Sequence, residues 1–180
     1  MPAQRVNVAP EPRRPRLLLL LRHAKSAWPQ GVADQDRPLA ARGEAACLVM
    51  GGYLAASQWR PERVVASPAQ RTMETAHRVL AVLGEPPFSI EQDDRLYGGD
   101  IGAVLAETPP GVGCVLLVGH QPELEMLLEC FVGPVRRLAT AALAVVELTQ
   151  WSQASPGRLV DFVTPKDLGG PRRPGRLGVG

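Results

Sequence analysis

The sequence contains few of the residues that mark a disulfide scaffold or a zinc site. Cysteine occurs only three times in 180 residues, and no two cysteines form a CxxC pair. Histidine also occurs three times, and His23, His77 and His120 do not have the spacing of metal ligands. We therefore expect reduced cysteines in a cytoplasmic protein that holds no metal and uses no cofactor.

Long apolar runs and aromatic clusters are also missing. The leucine run at residues 17–21 is far shorter than the about 20 apolar residues of a membrane span or the roughly 7 to 15 of a signal-peptide core. Aromatic residues make up 4% of the chain, and its three tryptophans are scattered. We expect neither a membrane partner nor a base-stacking platform.

Net positive charge is confined to the chain ends. Residues 1–16 hold four Arg and one Glu, and residues 169–180 hold three Arg and no acid, so residues 17–168 carry a net charge of −4. A mildly acidic body argues against a nucleic-acid partner. We predict one domain at 16–168, between disordered basic tails at 1–15 and 169–180.

Four short apolar segments without alternation have the pattern of strands buried on both faces. They are residues 16–21, 63–67, 114–119 and 142–148. Segments with helical spacing lie at 39–59, 68–84 and 122–133. This order predicts an α/β fold, a single domain of three α/β/α layers around a mainly parallel sheet. Right-handed crossovers would bring every strand's C-terminal end to one edge, where such folds bind ligands.

Polar residues lie at the ends of three of the predicted strands. Arg22 and His23 come directly after the first strand, Ser67 ends the second, and His120 follows the third. Arg71 lies in the first turn of the predicted helix after Ser67, where the helix dipole disfavours a cation, so that an anion beside it would explain its position. Guanidinium groups and helix N-termini bind phosphoryl oxygens well, and imidazole can attack phosphorus to form phosphohistidine.

The segments "LRHAKS", "SPAQRTMET" and "VGHQPEL" resemble the three signatures of the histidine phosphatase superfamily, in the order that the family uses. The fuller pattern, which includes "DQDRPLAARG", resembles the short branch of the superfamily, the bacterial phosphohistidine phosphatases. The resemblance covers about residues 16–168 and implies a phosphoglycerate mutase-like fold.

The resemblance also implies roles for individual residues. His23 would be the nucleophile that is transiently phosphorylated, Arg22 and Arg71 would hold the phosphoryl oxygens, and His120 would stabilise the developing charge. Arg37 matches an arginine of the short branch that reaches the same phosphate, although a loop or cap role would explain it equally well.

Two further residues within these motifs are candidates for substrate binding. Lys25 closely follows the expected nucleophile, and Ser67 ends the second predicted strand. Lys25 would line the entrance to the site, and the simpler alternative is a solvated loop residue.

A general acid is the weakest part of the pattern. Larger members of the superfamily place a carboxylic acid between the second and third motifs, and no Glu here stands in those surroundings. Asp94 and Asp100 are the nearest candidates, and each is also explained as a solvated loop or helix-cap residue. Expelling an alkoxide needs a proton more than expelling an imidazole does, so this absence favours a phosphoramidate substrate.

We therefore expect a metal-independent phosphatase that acts on phosphohistidine, with a phosphorylated protein or a small phosphorylated molecule as its partner. One alternative is a general phosphomonoesterase or mutase acting on a small metabolite. A second is a phosphate-binding regulatory module that has lost turnover, and a third is a nucleic-acid binder that uses the basic tails.

Overall fold

The computed structural model describes residues 15–84 and 89–170. Apart from residues 15, 169 and 170, the two predicted tails lie outside the described residues. Within these ranges, no helix combines the length and the apolarity that crossing a bilayer requires.

The described residues form a six-stranded sheet with helices on both faces. The strands are β1 (Arg16–Arg22), β2 (Arg63–Ala66), β3 (Ile90–Gln92), β4 (Cys114–Gly119), β5 (Leu143–Leu148) and β6 (Gly157–Val163). The α-helices are α1 (Ala41–Ala56), α2 (Gln70–Leu83), α3 (Ile101–Ala106) and α4 (Glu123–Val132). Short 3-10 helices lie at Asp34–Asp36 and Asp94–Leu96.

The sheet is mainly parallel, as predicted. The strand order is β3-β2-β4-β1-β5-β6, and the first four of these strands pair in parallel. The expectation that every strand ends at one edge is wrong for β5, which runs antiparallel to β1 and β6. The chain enters β5 from the edge at which β1 ends, so that the Arg22 N–H donates to Ala142 O at 3.1 Å.

The leucine run explains how β1 is buried from both sides. Leu19 and Leu21 face the layer that contains α1 and α2, whereas Leu18 and Leu20 face the layer that contains α3 and α4. None of the four is more than 1% exposed. Because successive side chains of a strand point to opposite faces, an unbroken apolar run places β1 between two helical layers.

Two glycines of α1 let neighbouring backbone approach closely. A Cβ at Gly43 would lie 2.1 Å from Lys25 O, and one at Gly51 would lie 2.8 Å from the Val82 side chain on α2. Close packing at these two glycines therefore offsets the low helix propensity of glycine. At Gly43 it brings the segment after His23 against the start of α1.

Two strands were not predicted from the sequence. Both β3 and β6 are edge strands, β3 has only three residues, and most of β6 is exposed or half-buried. Edge strands bury little apolar surface, so neither shows the apolar run that predicted the inner strands. The three cysteines are free thiols, with Cys47 and Cys114 buried and Cys130 exposed.

Candidate active site

Three adjacent strands deliver the predicted residues to one edge of the sheet. The N–H of His23 donates to Gly119 O at 2.9 Å, and the N–H of Ser67 donates to Val118 O at 3.0 Å. These bonds place His120, which follows the central strand β4, between the other two chain segments. The imidazole centroids of His23 and His120 are 5.1 Å apart.

His23 is held as a neutral imidazole with a defined tautomer. Its side chain is buried, and Nδ1 lies 2.7 Å from Ala24 O. Because a carbonyl oxygen only accepts, Nδ1 carries the proton and Nε2 keeps its lone pair. Burial, followed by the charges of His120 and Arg71, lowers the pKa of His23 to about 3.

His120 is fixed through both ring nitrogens. Arg71 Nη2 lies 3.3 Å from Nδ1, and Ser67 Oγ lies 2.8 Å from Nε2. A guanidinium group only donates, so Nδ1 accepts from Arg71 and the Nε2–H donates to Ser67. The Tyr97 ring packs edge-on at a centroid distance of 4.8 Å. Burial, followed by the Arg71 charge, lowers the pKa of His120 to about 4.

Arg71 lies in the first turn of α2 and is only 4% exposed. Its guanidinium group donates to the backbone oxygen of Asp34 and, through Nη2, to Asp34 Oδ2 at 3.0 Å. Within the described residues, its buried Nε has no partner. The anion that we expected beside Arg71 is therefore the Asp34 carboxylate of the protein itself.

Asp34 and Tyr97 are the site residues that sequence reasoning missed. The Asp34 carboxylate pairs with Arg71 and with Arg37, whose Nη2 lies 2.9 Å from Oδ1, and it accepts a hydrogen bond from the Tyr97 hydroxyl. That hydrogen bond, followed by the two arginines, holds the pKa of Asp34 below its ordinary value. A sequence signal for Asp34 exists in the acidic "DQD" directly before Arg37, which places a carboxylate three residues from that arginine.

Arg37 is connected to the site by its ion pair with Asp34. It is 7% exposed, Nη1 donates to Ser26 Oγ at 2.8 Å, and its guanidinium group stacks on the Trp28 ring at 3.5 Å from the centroid. Asp34 therefore bridges Arg37 and Arg71, and the expected contact of Arg37 with a phosphate stays a prediction.

Arg22 extends from the end of β1 towards a neighbouring cavity. Its Nη1 donates to Leu138 O at 2.9 Å, and its buried Nε has no partner among the residues that the structure describes. Burial, followed by the charge of Arg137, lowers the pKa of Arg22. Lys25 lines the same cavity, two residues after His23.

The two candidate acids occupy the positions of turn and cap residues. Asp100 caps α3 by accepting from the Ala103 N–H at 3.0 Å, and Asp94 is exposed at the start of a 3-10 helix. Neither contacts His23 in the part of the chain that the structure describes. A role of Asp94 or Asp100 as the general acid stays a prediction.

The described residues contain no group of three or more His, Cys, Asp or Glu side chains that could hold a metal ion. The functional groups at this edge are the imidazoles, the guanidinium groups, the Ser67 and Tyr97 hydroxyls and the Asp34 carboxylate. His77, the third histidine, is exposed on α2 and takes no part in the cluster.

Comparisons with known proteins agree with this geometry. The sequence model of the histidine phosphatase superfamily (branch 1) matches residues 18–110. An uncharacterized protein of Mycobacterium tuberculosis strain H37Rv is 34% identical over 164 residues, which cover 81% of this chain and 100% of that protein. The phosphohistidine phosphatase SixA of Escherichia coli strain K12 is 28% identical over 139 residues, which cover 74% of this chain and 86% of SixA.

Solved structures show the same fold. A protein histidine phosphatase SixA in complex with tungstate superposes with a TM-score of 0.74 at 28% identity and covers 84% of this chain and 99% of its own. A mycobacterial glucosyl-3-phosphoglycerate phosphatase shares only the fold, with a TM-score of 0.60 and 16% identity over 80% of this chain and 96% of its own. The chain belongs to the histidine phosphatase superfamily, in its short SixA-like branch, and has the phosphoglycerate mutase-like fold.

Proposed function

We propose that this phosphatase hydrolyses phosphohistidine through a covalent phosphohistidine intermediate on its own His23. The observation that carries the proposal is the neutral, buried imidazole of His23, whose Nδ1–H donates to Ala24 O at 2.7 Å. This bond leaves the Nε2 lone pair free to attack phosphorus without prior removal of a proton.

In the first step, Nε2 of His23 forms a bond to phosphorus while the bond from phosphorus to the leaving nitrogen breaks. The leaving imidazole takes a proton from water, so no dedicated protein acid is needed. In the second step, water attacks phosphorus, the bond to His23 breaks, and inorganic phosphate leaves. Arg22 and Arg71 bind the phosphoryl oxygens, and His120 stabilises their developing charge.

Two features of the site support these roles. The Arg71 guanidinium group already holds an anion, the Asp34 carboxylate, at 3.0 Å, so its donors are directed at an anionic site. His120 is neutral and presents an N–H at Nε2, which Ser67 Oγ accepts at 2.8 Å. Both contacts can be exchanged for phosphoryl oxygens when the substrate binds.

A trapping experiment tests the intermediate. The full chain is mixed with a ³²P-labelled phosphohistidine protein or with labelled phosphoramidate and quenched within milliseconds. We expect acid-labile, base-stable label on His23, and loss of both label and turnover in His23→Ala. Label on Ser67, or full activity of His23→Ala, would contradict the mechanism. A protein that takes up no label and releases no phosphate would instead be a phosphate-binding module.

Substrate class and metal independence need separate measurements. Rates on a phosphohistidine protein, a sugar phosphate and an aryl phosphate should be highest on the first. A faster sugar phosphate reaction would favour the alternative, a phosphomonoesterase or mutase of small metabolites. EDTA should leave all rates unchanged, and restoration of a lost rate by zinc or magnesium would contradict a metal-independent reaction. A cytoplasmic location stays a prediction from the cysteine content.

A further inference from the structure

A large basic cavity lies next to the candidate active site. Its volume is about 1010 Å³, and it opens at the edge of the sheet where β1 and β6 end. Its charged lining comes from the end of β1, the segment after it, α1, the loop before β5 and the turn after β6. These side chains are Arg22, Lys25, Arg42, Arg137, Lys166 and Asp167. We call this the basic cavity.

The charge of the basic cavity is opposite to that of the body around it. Residues 17–168 contain 13 Lys and Arg against 17 Asp and Glu, yet five of those 13 cations line this one cavity. The single carboxylate, Asp167, is already engaged, because it accepts from the backbone N–H and the hydroxyl of Thr164 at 2.8 and 2.9 Å and pairs with Arg136 at 3.3 Å. The local field therefore favours an anionic occupant.

Two cations of the cavity, Arg22 and Arg137, repel each other, and the nearby Glu125 offsets only part of this effect on Arg22. Burial is the main reason why the pKa of Arg22 is lowered, and the charge of Arg137 is the second. The buried Nε of Arg22 has no partner within the described ranges, and Arg137 Nε donates to a neutral acceptor, Gln121 Oε1, at 3.2 Å. An anion in the cavity would relieve this repulsion and give Arg22 a further acceptor.

We infer that the basic cavity binds an acidic stretch of polypeptide that flanks the phosphorylated residue of a protein substrate. This inference rests on the proposed function and deepens it, since it selects a phosphoprotein over a small metabolite. Arg22 joins the two sites, because it follows the last residue of the leucine run, directly precedes His23 and lines the cavity.

Size and the spread of charge favour a polypeptide over a small anion. A volume of about 1010 Å³ is at the upper limit for small-molecule sites, which are roughly 300 to 1,000 Å³. The cations come from four separate chain segments, and Arg137 and Lys166 are exposed. Long exposed side chains around a wide opening suit several carboxylates on one chain better than a single phosphate.

Binding of fluorescent peptides to the full chain tests the cavity without relying on catalysis. One peptide carries four Glu around a single unphosphorylated His, and its matched partner carries Gln in place of each Glu. We expect the acidic peptide to bind at least tenfold more tightly at low salt. Lys166→Glu should weaken its binding at least fivefold, whereas Arg158→Glu, the same charge reversal near the start of β6, should weaken it less than twofold.

Kinetics with the phosphohistidine forms of both peptides link the cavity to turnover. The ratio of kcat/KM for the acidic peptide to that for the Gln peptide should fall at least fivefold in Lys166→Glu and stay within twofold of wild type in Arg158→Glu. If the wild type hydrolyses neither phosphopeptide, the proposed function fails, while the binding measurement still decides what the cavity binds.

Three outcomes would overturn the inference. The first is equal affinity for the acidic and the Gln peptide. The second is an equal loss in Lys166→Glu and Arg158→Glu, which would show a net-charge effect only. The third is displacement of the acidic peptide by an equimolar amount of pyrophosphate, with the same loss of pyrophosphate affinity in Lys166→Glu, which would assign the cavity to small anions.

Discussion

Two neighbouring regions at the same sheet edge differ in how far their polar and charged side chains are buried. The first, which we call the histidine pocket, consists of His23, Ser67, Arg71 and His120, and none of these side chains is more than 9% exposed. The second is the basic cavity, in which Arg137 and Lys166 are exposed and Arg42 is half-buried. Arg22 lines the basic cavity and directly precedes His23 of the histidine pocket.

The difference separates two tasks. In the histidine pocket each donor is oriented by a neighbour, as Arg71 is by Asp34 and His120 is by Ser67, so the groups are positioned before a substrate arrives. In the basic cavity Arg137 and Lys166 are solvated, which suits attraction of an anionic partner and gives only modest energy per contact. Substitutions in the pocket should therefore change the chemical step, and substitutions in the cavity should change substrate capture.

The largest effect is expected from Arg71. Arg71→Ala removes a buried donor from the phosphoryl site, and we expect kcat/KM for a phosphohistidine substrate to fall by about 10³-fold, the size expected for loss of a preorganised donor. Arg78→Ala is the matched control on the same helix, since Arg78 forms an exposed ion pair with Glu44. Steady-state kinetics, with circular dichroism to confirm folding, measure both.

A fall of less than tenfold in folded Arg71→Ala, or an equal fall in Arg78→Ala, would contradict the division between pocket and cavity. Arg71→Lys refines the test. A lysine keeps the charge and loses the fork of donors, so it should recover only a small part of the rate.

The two buried histidines should make stability depend on pH. An unfolded imidazole gains a proton below about pH 6.5, whereas burial holds the pKa of folded His120 at about 4 and that of His23 at about 3. Between pH 4 and 6.5 the unfolded chain therefore binds more protons, and stability falls as the pH falls. Each histidine contributes up to about 1.4 kcal/mol per pH unit.

Urea unfolding between pH 5 and 6.5 measures this slope. We expect His120→Gln to reduce this slope by close to one proton at pH 5 and by about half a proton at pH 6.5, even if the substitution also lowers the overall stability. His77→Gln, at the exposed histidine of α2, is the control. An unchanged slope in His120→Gln, or an equal change in the control, would show that burial in the pocket does not keep His120 neutral.

A smaller effect is expected from Asp34, whose carboxylate competes with bound anions for Arg71. Asp34→Asn removes that charge, and we expect inorganic phosphate to inhibit about fivefold more tightly, on the order of 1 kcal/mol for a half-exposed ion pair. Asp36→Asn, in the same 3-10 helix, is the matched control. Weaker inhibition in Asp34→Asn would mean that Asp34 orients the arginines more than it competes with the phosphate.

Much of the inner fold could be predicted because burial leaves a local signature. The four inner strands read as apolar runs, and the three long helices begin and end within three residues of their predicted bounds. The edge strands β3 and β6 bury too little apolar surface to show such a run. The direction of β5 could not be predicted from the sequence either, because it depends on how the loop before β5 returns to the sheet edge.

The convergence of strand ends was predictable, but the partners of each group were not. That His23 and His120 would meet followed from the order of strands and the parallel sheet. That Asp34 would neutralise Arg71, and that Tyr97 would pack against His120, depended on loops whose paths have no periodic pattern.

By itself, the sequence determined the layers of the fold and the edge at which the chemistry lies, since apolar runs and polar strand ends are local properties of the chain. Only the tertiary structure decided which tautomer His23 adopts, which anion Arg71 holds and where the basic cavity forms. The reason is that burial, hydrogen-bond geometry and the summed field of separate segments depend on distances between residues far apart in sequence.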